Sequence, residues 1–376
     1  QKHFTYLMMH LTKTDGATFD NDAKACFDRI IAALTNLRSQ QLGMPISACN
    51  MRAELLRTAE FVLKTGAGVS EQEYSSTEEQ PLYGEGQGTK WATVAWVILS
   101  TLIMALMPKK ADGIQFQDPH LTVCVKRIMD GFVDDTTIWQ STLTQNSTES
   151  TSPQDTSIQG IAARLQISAQ WWEQLLHATG GQLELPKCFY YLLHWVFDSE
   201  GCARLTTPDE MDIQISIQQS ADDQEIDIAQ RFCQESHRTL GVHEIPAGRY
   251  KTEYAHLLDK GNKMAQLISA QAITRPDAWI AYRSIYLPSL RYSLSSTSFT
   301  RQDLATIQRS STQVLLSAMG FNKHMPLAVV FGPAYLGGVG LRHLYVEQLP
   351  LIPICACRRL ELCHARRPRQ HDTRIH

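Results

Sequence analysis

The segment Gly131-Phe132-Val133-Asp134-Asp135-Thr136-Thr137-Ile138-Trp139 carries two adjacent carboxylates between two β-prone runs. Such runs on either side of a short break predict a tight hairpin with both acids at its tip. Because a hairpin tip is rigid and exposed, acids held there could bind a metal ion where a phosphate also reaches it. A plain surface turn is the commoner outcome for an isolated Asp-Asp pair, so the surrounding motifs decide between the two interpretations.

A third acid, Asp22, ends a β-prone run over residues 16–22. If this strand lies beside the hairpin in one sheet, Asp22 meets Asp134 and Asp135. Three carboxylates in one place repel one another, and cations offset that repulsion most easily. The pattern predicts a site for two Mg²⁺ ions, or Mn²⁺ in their place, that activates a 3′-hydroxyl and stabilises a leaving pyrophosphate. Asp28 is more consistent with a structural role at a helix start.

The elements that must position these acids follow from the periodicity of apolar residues. A helix is predicted with Phe27, Ile30, Ile31, Leu34 and Leu37 on its apolar face, ending at Gly43. Further helices are predicted over about 47–64 and 92–107, around Trp171 and Trp172, and over 251–271, 275–293 and 301–319. The helix at 92–107 is predicted to be buried rather than membrane-spanning. Strands are predicted at about 187–198 and 202–206, and a loop at 70–80. Mixed elements followed by helices predict an α+β fold with a sheet domain and then a helical domain.

The composition limits the classes of protein to which this chain can belong. The chain has 376 residues, 43% of them hydrophobic and 19% charged, which indicates a globular protein of two or three domains. The formal net charge of −3 argues against a strong autonomous nucleic-acid binder, since phosphate contacts supply most of the affinity of such proteins. Nine irregularly spaced cysteines and no secretory leader predict an intracellular protein, cytoplasmic or nuclear, without a membrane partner.

Two segments fall outside the predicted domains. Residues 140–158 are poor in apolar side chains and are predicted to form a polar loop insertion. Residues 349–376 are predicted to form a basic tail, with six arginines from Arg358 onward; a solvated end is favoured over nucleic-acid binding. Its Cys355, Cys357, Cys363 and His364 match no common zinc spacing, so a zinc site is the less favoured interpretation.

Several short motifs occur in a defined order: Asp22 with Phe27-Asp28, Gly84-x-Gly86-Gln87-Gly88, Phe132-Val133-Asp134-Asp135, Leu185-Pro186-Lys187 and Leu240-Gly241-Val242. In this order they resemble the reverse transcriptase domain of eukaryotic non-LTR-like retroelements, especially those of algae and other protists. The stretch from Ala328 to Leu341 resembles the segment after the thumb in that family, and the resemblance covers about residues 12–348. A dinucleotide-binding loop at 84–88 is disfavoured, because no clear strand precedes it and the glycine spacing differs.

The resemblance implies a role for each matching residue. Asp22, Asp134 and Asp135 would bind the metal ions, with Asp135 the least critical. Lys187 would approach the triphosphate and could donate a proton to pyrophosphate. The remaining matches concern substrate binding: Phe27 would exclude a ribose 2′-hydroxyl, Gly86, Gln87 and Gly88 would line the nascent base pair, and Leu240 and Gly241 would lie at the primer grip.

The resemblance also implies an architecture and a reaction. Residues 1–250 would form a right-hand polymerase palm, an antiparallel sheet with packed helices and partial fingers, and residues 251–348 a helical thumb. The reaction would be addition of dNTPs to a DNA or RNA primer on an RNA template. The chain begins at Gln1, about twenty residues before Asp22, so the resemblance implies an N-terminally truncated fingers region. Lys90 and Trp91 stand where the family usually has small residues and Ser-Pro.

Two alternatives stay open. The chain could be a catalytically inactive remnant of a retroelement that at most binds RNA. A nucleotide cyclase also uses metal-binding acids on a palm, but the Leu-Pro-Lys and Leu-Gly-Val segments and the helices after them argue against it. Protein partners are not indicated by the sequence.

Overall fold

The computed structural model describes residues 2–75, 77, 84–85, 89–117, 124–142, 155–248 and 250–349. These residues form two compact units. The larger unit is built from the described parts of 13–116 and 124–232, and the smaller one from those of 1–12, 117–123 and 233–376. The predicted division into 1–250, 251–348 and 349–376 concerns functional regions and stays a prediction.

The described strands are β1 Gly16–Asp22, β2 Glu60–Thr65, β3 Gly68–Ser75, β4 Ile114–Gln117, β5 Cys124–Arg127, β6 Met129–Phe132, β7 Asp135–Ser141, β8 Phe189–Leu193, β9 Trp195–Phe197, β10 Ala203–Leu205, β11 Ile215–Gln218, β12 Glu225–Gln230, β13 His237–Thr239 and β14 Val242–Glu244. The described α-helices are α1 Lys2–Thr12, α2 Ala32–Gln41, α3 Ile46–Arg57, α4 Lys90–Leu106, α5 Ile158–Ala178, α6 Lys251–Ala270, α7 Arg275–Ala281, α8 Leu287–Leu294, α9 Arg301–Ala318, α10 Leu327–Val330 and α11 Leu344–Gln348. Short 3₁₀ turns cover Met107–Lys109, Leu185–Lys187, Pro208–Glu210 and Ala334–Leu336, and a π-helical turn, Tyr282–Tyr286, joins α7 to α8.

Within the described residues, the larger unit holds a six-stranded sheet in the order β11-β12-β8-β1-β7-β6. Strand β1 is central and pairs antiparallel with β7 on one side and with β8 on the other. Strand β12 pairs parallel with β8, and the other pairings in the sheet are antiparallel. Helix α5 packs against β1, β7 and β11, so this mixture of sheet and helix confirms the predicted α+β class.

Helix α4 contributes one buried face to the core of the larger unit. The Thr89 hydroxyl caps its first turn by accepting a hydrogen bond from the Ala92 N–H (3.2 Å). Trp96 and Leu99 lie in the core, whereas Val94 is exposed. By length and composition, the helical segment Lys90–Lys109 is also long and apolar enough to cross a membrane. A third of its apolar stretch is buried inside the protein. The core contacts support the predicted buried helix.

The smaller unit is mainly helical in its described part. Helices α6 and α9 pack against each other, and Leu257, Leu290 and Leu315 join one apolar core. Helix α9 begins with a capping box, in which the Thr300 hydroxyl and the Asp303 carboxylate each bind a backbone N–H of the other residue. The predicted helices at 251–271 and 301–319 are therefore confirmed, and the one at 275–293 is interrupted by its π-helical turn.

The helix predicted to begin near Phe27 starts later, at Ala32. After Asp22 the chain makes a tight turn, closed by a hydrogen bond from the Asp28 N–H to the Ala25 carbonyl (3.0 Å). Ala25 has φ 47° within this turn, and the Phe27 carbonyl accepts a hydrogen bond from the distant Glu85 N–H (2.9 Å). Phe27 therefore lies in a loop, although its spacing from Ile30 and Leu34 matches a helix.

The second predicted helix, over 47–64, is wrong in its second half, and so is part of the predicted loop at 70–80. Helix α3 ends at Arg57, and β2 and β3 form an exposed hairpin around Gly66 and Ala67. The short apolar run at Phe61 fits a strand as well as a helix turn, and a tertiary pairing decides between them.

Other elements were missed or fall outside the described residues. Strands β11 and β12 alternate apolar and polar residues, a period-2 signal that the sequence offers. Of the predicted 140–158 insertion, Gln140 and Ser141 belong to β7 and Ile158 begins α5, while 143–154 lie outside the described residues. Of the predicted 349–376 tail, with its cysteines and arginines, only Leu349 is described.

Candidate metal centre

Strand pairing brings the predicted acids together. In the antiparallel pair of β1 and β7, Asp22 lies directly opposite Asp135. Asp134 occupies the turn that precedes β7. One carboxylate oxygen from each of the three residues lies within 4.8 Å of the others. The predicted juxtaposition of Asp22, Asp134 and Asp135 is therefore present, and this group could hold a metal ion.

Cross-strand hydrogen bonds between β1 and β7 hold this register. The Thr137 hydroxyl donates to Asp20 Oδ1 (2.6 Å), two residue pairs before the acids. On the opposite face the Thr136 hydroxyl donates to Asn21 Oδ1, which also accepts from the Trp172 indole (2.9 Å). Because these bonds are buried, a shifted register would leave several polar groups unpaired.

The turn that carries Asp134 has an unusual backbone. Val133, its first central residue, has φ 56°, a conformation that β-branched side chains rarely adopt. The carbonyl of Val133 accepts a hydrogen bond from the Trp96 indole in α4. The carbonyl of Asp134 accepts one from the Ala23 N–H (3.4 Å), which ties the turn to the chain just after Asp22.

Lys187 reaches the centre from the 3₁₀ turn Leu185–Lys187. Its Nζ lies 2.6 Å from Asp22 Oδ2, and the Glu184 N–H donates to the Asp22 carbonyl (2.9 Å), which anchors this turn on β1. The hydrogen bond to Asp22 and the negative charge of the Asp22 carboxylate raise the pKa of Lys187. The ammonium therefore stays charged at neutral pH and offsets part of the charge on the carboxylates.

A cleft of about 150 Å³ opens beside the acids. Its lining comprises Asp22, Ala23, Lys24, Ala25, Cys26, Phe27, Asp28, Asp134, Glu184 and Lys187. Burial, together with the nearby charge of Asp134, raises the pKa of the Cys26 thiol to about 12, so Cys26 is neutral and is a poor metal ligand at neutral pH. The candidate metal donors beside this cleft are therefore carboxylate oxygens.

The donor set fits hard divalent cations. Three carboxylates face one hydrogen-bonded ammonium, so negative charge remains for a cation to neutralise. Oxygen donors favour Mg²⁺ or Mn²⁺ over metals that prefer nitrogen or sulfur ligands. Asp22 and Asp134 are partly buried and Asp135 is exposed, so substrate oxygens and water have room to complete the coordination.

The remaining predicted site residues belong to the smaller unit or fall outside the described part of the chain. Gly86, Gln87 and Gly88 lie outside the described residues. Leu240 and Gly241 form the turn between β13 and β14 of the smaller unit, both with positive φ, and the Tyr292 hydroxyl donates to the Leu240 carbonyl (2.8 Å). The functional roles assigned to all of these residues stay predictions.

Sequence reasoning named Gly84 only as part of a motif and did not single out Glu85 or Arg52. Gly84 and Glu85 donate backbone hydrogen bonds to the carbonyls of Ile30 (3.2 Å) and Phe27 (2.9 Å), respectively. A Cβ at Gly84 would meet the backbone of Asp28 at 2.5 Å, so this glycine permits a close approach of two chain segments. Glu85 is also held by a buried ion pair with Arg52. Only the glycine pattern at 84–88 signalled this region in the sequence.

No family model matches this chain, and no curated protein matches it. Solved structures of telomerase from Candida albicans and from Candida tropicalis, each in complex with the TWJ fragment of telomeric RNA, align with 93% and 96% of this chain at 11% and 12% identity. The TM-scores are 0.40 and 0.32.

The chain spans about half the length of these telomerase chains, 47% and 51% respectively.

Proposed function

We propose that this chain is a fragment of an RNA-directed DNA polymerase of the non-LTR-like retroelement type. It would add dNTPs to the 3′-end of a DNA or RNA primer on an RNA template, with two Mg²⁺ ions. The observation that carries the proposal is the gathering of Asp22, Asp134 and Asp135 within 4.8 Å, beside a cleft. In this proposal the six-stranded sheet belongs to the palm and the helices after residue 250 form the thumb.

Asp22 and Asp134 would be the main metal ligands, because both are partly buried and are held by the backbone of β1 and of the hairpin turn. Bound divalent cations would lower the pKa of the primer 3′-hydroxyl and stabilise charge on the leaving pyrophosphate. Asp135 is more exposed, so its carboxylate has more freedom to turn toward water or substrate.

Lys187 and Phe27 would act on the incoming nucleotide. The Lys187 ammonium lies at the mouth of the cleft, two-thirds exposed, where it would contact the triphosphate and give a proton to pyrophosphate. Phe27 lines the same cleft, and its ring would exclude a ribose 2′-hydroxyl by its bulk. Gly86, Gln87 and Gly88 would line the nascent base pair, and Leu240 and Gly241 would contact the primer.

The net charge of −3 limits how the template is held. Phosphate contacts normally dominate nucleic-acid affinity, so binding would depend on local basic groups and on the metal ions. The protein would act inside the cell, in the cytoplasm or nucleus, where its cysteines stay reduced.

Primer extension tests the proposal. The chain is incubated with poly(rA)–oligo(dT), dTTP and Mg²⁺, beside the Asp22→Ala variant and a surface control, Asp209→Asn, which removes an exposed carboxylate elsewhere in the larger unit. The proposal expects extension by the chain and by the control, and none by Asp22→Ala. If folded protein extends no primer but retains RNA in a filter-binding assay, the chain is an inactive remnant and the proposal is wrong.

A further inference from the structure

We propose that Trp96 is a positioning residue for the metal centre. Its indole N–H would hold the carbonyl of Val133, and it would thereby keep the Asp134 carboxylate in place before a metal ion binds. This inference rests on the proposed function, in which Asp134 is a metal ligand. Trp96 itself is not part of the cleft lining, and its indole N–H bonds the Val133 backbone rather than a carboxylate.

The turn needs such support because its backbone is strained. Val133 and Asp134 are the two central residues between β6 and β7, and Val133 has φ 56°. A hairpin turn with positive φ at the first central position usually has glycine there. A β-branched residue holds this conformation only where its surroundings over-determine it.

In this proposal the buried Trp96 holds the turn in its strained conformation. Its side chain is 2% exposed and is packed in α4 among apolar residues of the larger unit. Its Nε1 donates to the Val133 carbonyl across 37 residues of sequence. The same helix touches the hairpin again at Gly131, where an added Cβ would lie 2.5 Å from the Met104 methyl carbon. Helix α4 therefore contacts the hairpin at the turn and on the strand before it.

The consequence concerns metal affinity. A carboxylate that is already in place loses little freedom when a cation binds, so pre-organisation strengthens binding. Without the indole donor, the Val133 carbonyl would lose its partner and the turn could relax toward commoner conformations. Asp134 would then move relative to Asp22, and the cation would have to restore the arrangement at the expense of affinity.

The test measures Mn²⁺ binding by electron paramagnetic resonance, which needs no polymerase activity. Trp96→Phe keeps an aromatic ring and removes the donor. The matched control is Trp91→Phe in the same helix, because the Trp91 indole nitrogen has no hydrogen-bond partner among the described residues. We expect Trp96→Phe to weaken Mn²⁺ binding about five- to tenfold, which corresponds to one hydrogen bond, and Trp91→Phe to leave it unchanged.

A rescue variant separates positioning from general damage to the core. Val133→Gly relieves the strain at positive φ, so the turn needs less help from the indole. We expect the double variant Trp96→Phe/Val133→Gly to bind Mn²⁺ nearly as tightly as the unmodified chain. Equal weakening in the single and double variants would overturn the proposal, because the loss would then come from the core and not from the turn.

Two further measurements keep the outcome decisive. If Trp96→Phe does not fold by circular dichroism, Trp96→benzothienylalanine replaces the indole N–H by sulfur and keeps the ring shape. Unchanged Mn²⁺ affinity in that variant would overturn the proposal. If Asp134→Asn leaves Mn²⁺ binding intact, the metal centre and the proposed function fail as well. If Asp134→Asn abolishes binding and the Trp96 variants do not affect it, only the role of Trp96 is wrong.

Discussion

Asp22 and Asp135 lie directly opposite each other in the antiparallel pairing of β1 and β7. Directly paired residues project from the same face of a sheet, so this register brings together two acids that are more than a hundred residues apart. A slip by one residue would turn Asp22 to the other face. The bond from Thr137 to Asp20 opposes such a slip, so buried side chains near the acids hold the two carboxylates on one face.

The first prediction concerns the acids. Asp134→Asn should reduce Mg²⁺-dependent dTTP incorporation at least about a hundredfold, because a metal ion contributes several kcal/mol to transition-state stabilisation. Asp135→Asn should cost less, since Asp135 is the exposed member of the group. Initial rates on poly(rA)–oligo(dT) measure both effects, and circular dichroism checks the fold. Full activity of Asp134→Asn would exclude this metal assignment.

The second prediction concerns sugar selection. Phe27 lines the cleft, so Phe27→Ala should open space for a 2′-hydroxyl and raise the use of UTP relative to dTTP about tenfold. The ratio of the two kcat/KM values measures this change. Phe197→Ala removes an exposed ring from β9 and should leave the ratio unaltered. A constant ratio in Phe27→Ala would show that another group excludes the ribose.

The third prediction concerns Lys187. Lys187→Gln should slow incorporation, because it removes a charged group beside Asp22 that would contact the triphosphate. Lys187→Arg should retain part of the rate, since it keeps the positive charge but changes its shape. The melting temperature should hardly change in either variant, because an ion pair with an exposed lysine contributes little to stability. A large loss of melting temperature would indicate a structural role instead.

The fourth prediction concerns the cysteines. Burial raises the pKa of Cys188 and of Cys233 to about 12, so both thiols should resist iodoacetamide at pH 8, whereas the exposed Cys124 and Cys202 should react. Peptide mass spectrometry reads the labelling at each site. An unfolded cysteine ionises near pH ~8.5. The native state keeps the neutral form, so stability should fall as the pH rises above that value. Rapid native labelling of Cys233 would contradict this burial.

The fifth prediction concerns the start of α9. Thr300→Ala should lower the free energy of unfolding by about 1 kcal/mol, because the hydroxyl caps the helix by accepting from the Asp303 N–H. Thr306→Ala is the control, because its hydroxyl is exposed within the same helix and donates to the Gln302 carbonyl one turn earlier. Alanine there should be neutral or slightly stabilising. Urea unfolding distinguishes the two, and equal effects would argue against the cap.

Local patterns predicted a large part of this protein. The strand that ends at Asp22, the acid-bearing hairpin and the helices at 251–271 and 301–319 agree with the structure, because each depends on residues that are neighbours along the chain. The aspartates at the three positions also indicated which cations the site would favour, since carboxylates offer only oxygen donors. The order of the motifs predicted that Asp22 and the hairpin acids belong to one site, and the structure brings these three carboxylates together.

Only the tertiary structure decided how these elements meet. The opposition of Asp22 and Asp135, the bond from Trp96 to Val133 and the hairpin at Gly66 all depend on partners that are distant in sequence or on a choice between strand and helix. Phe27 shows the same limit, because its spacing from Ile30 and Leu34 is helical although it lies in a turn whose carbonyl at Phe27 bonds the distant Glu85 N–H. Periodicity records which residues are apolar, whereas register and turn geometry are set by packing and by buried hydrogen bonds between distant segments.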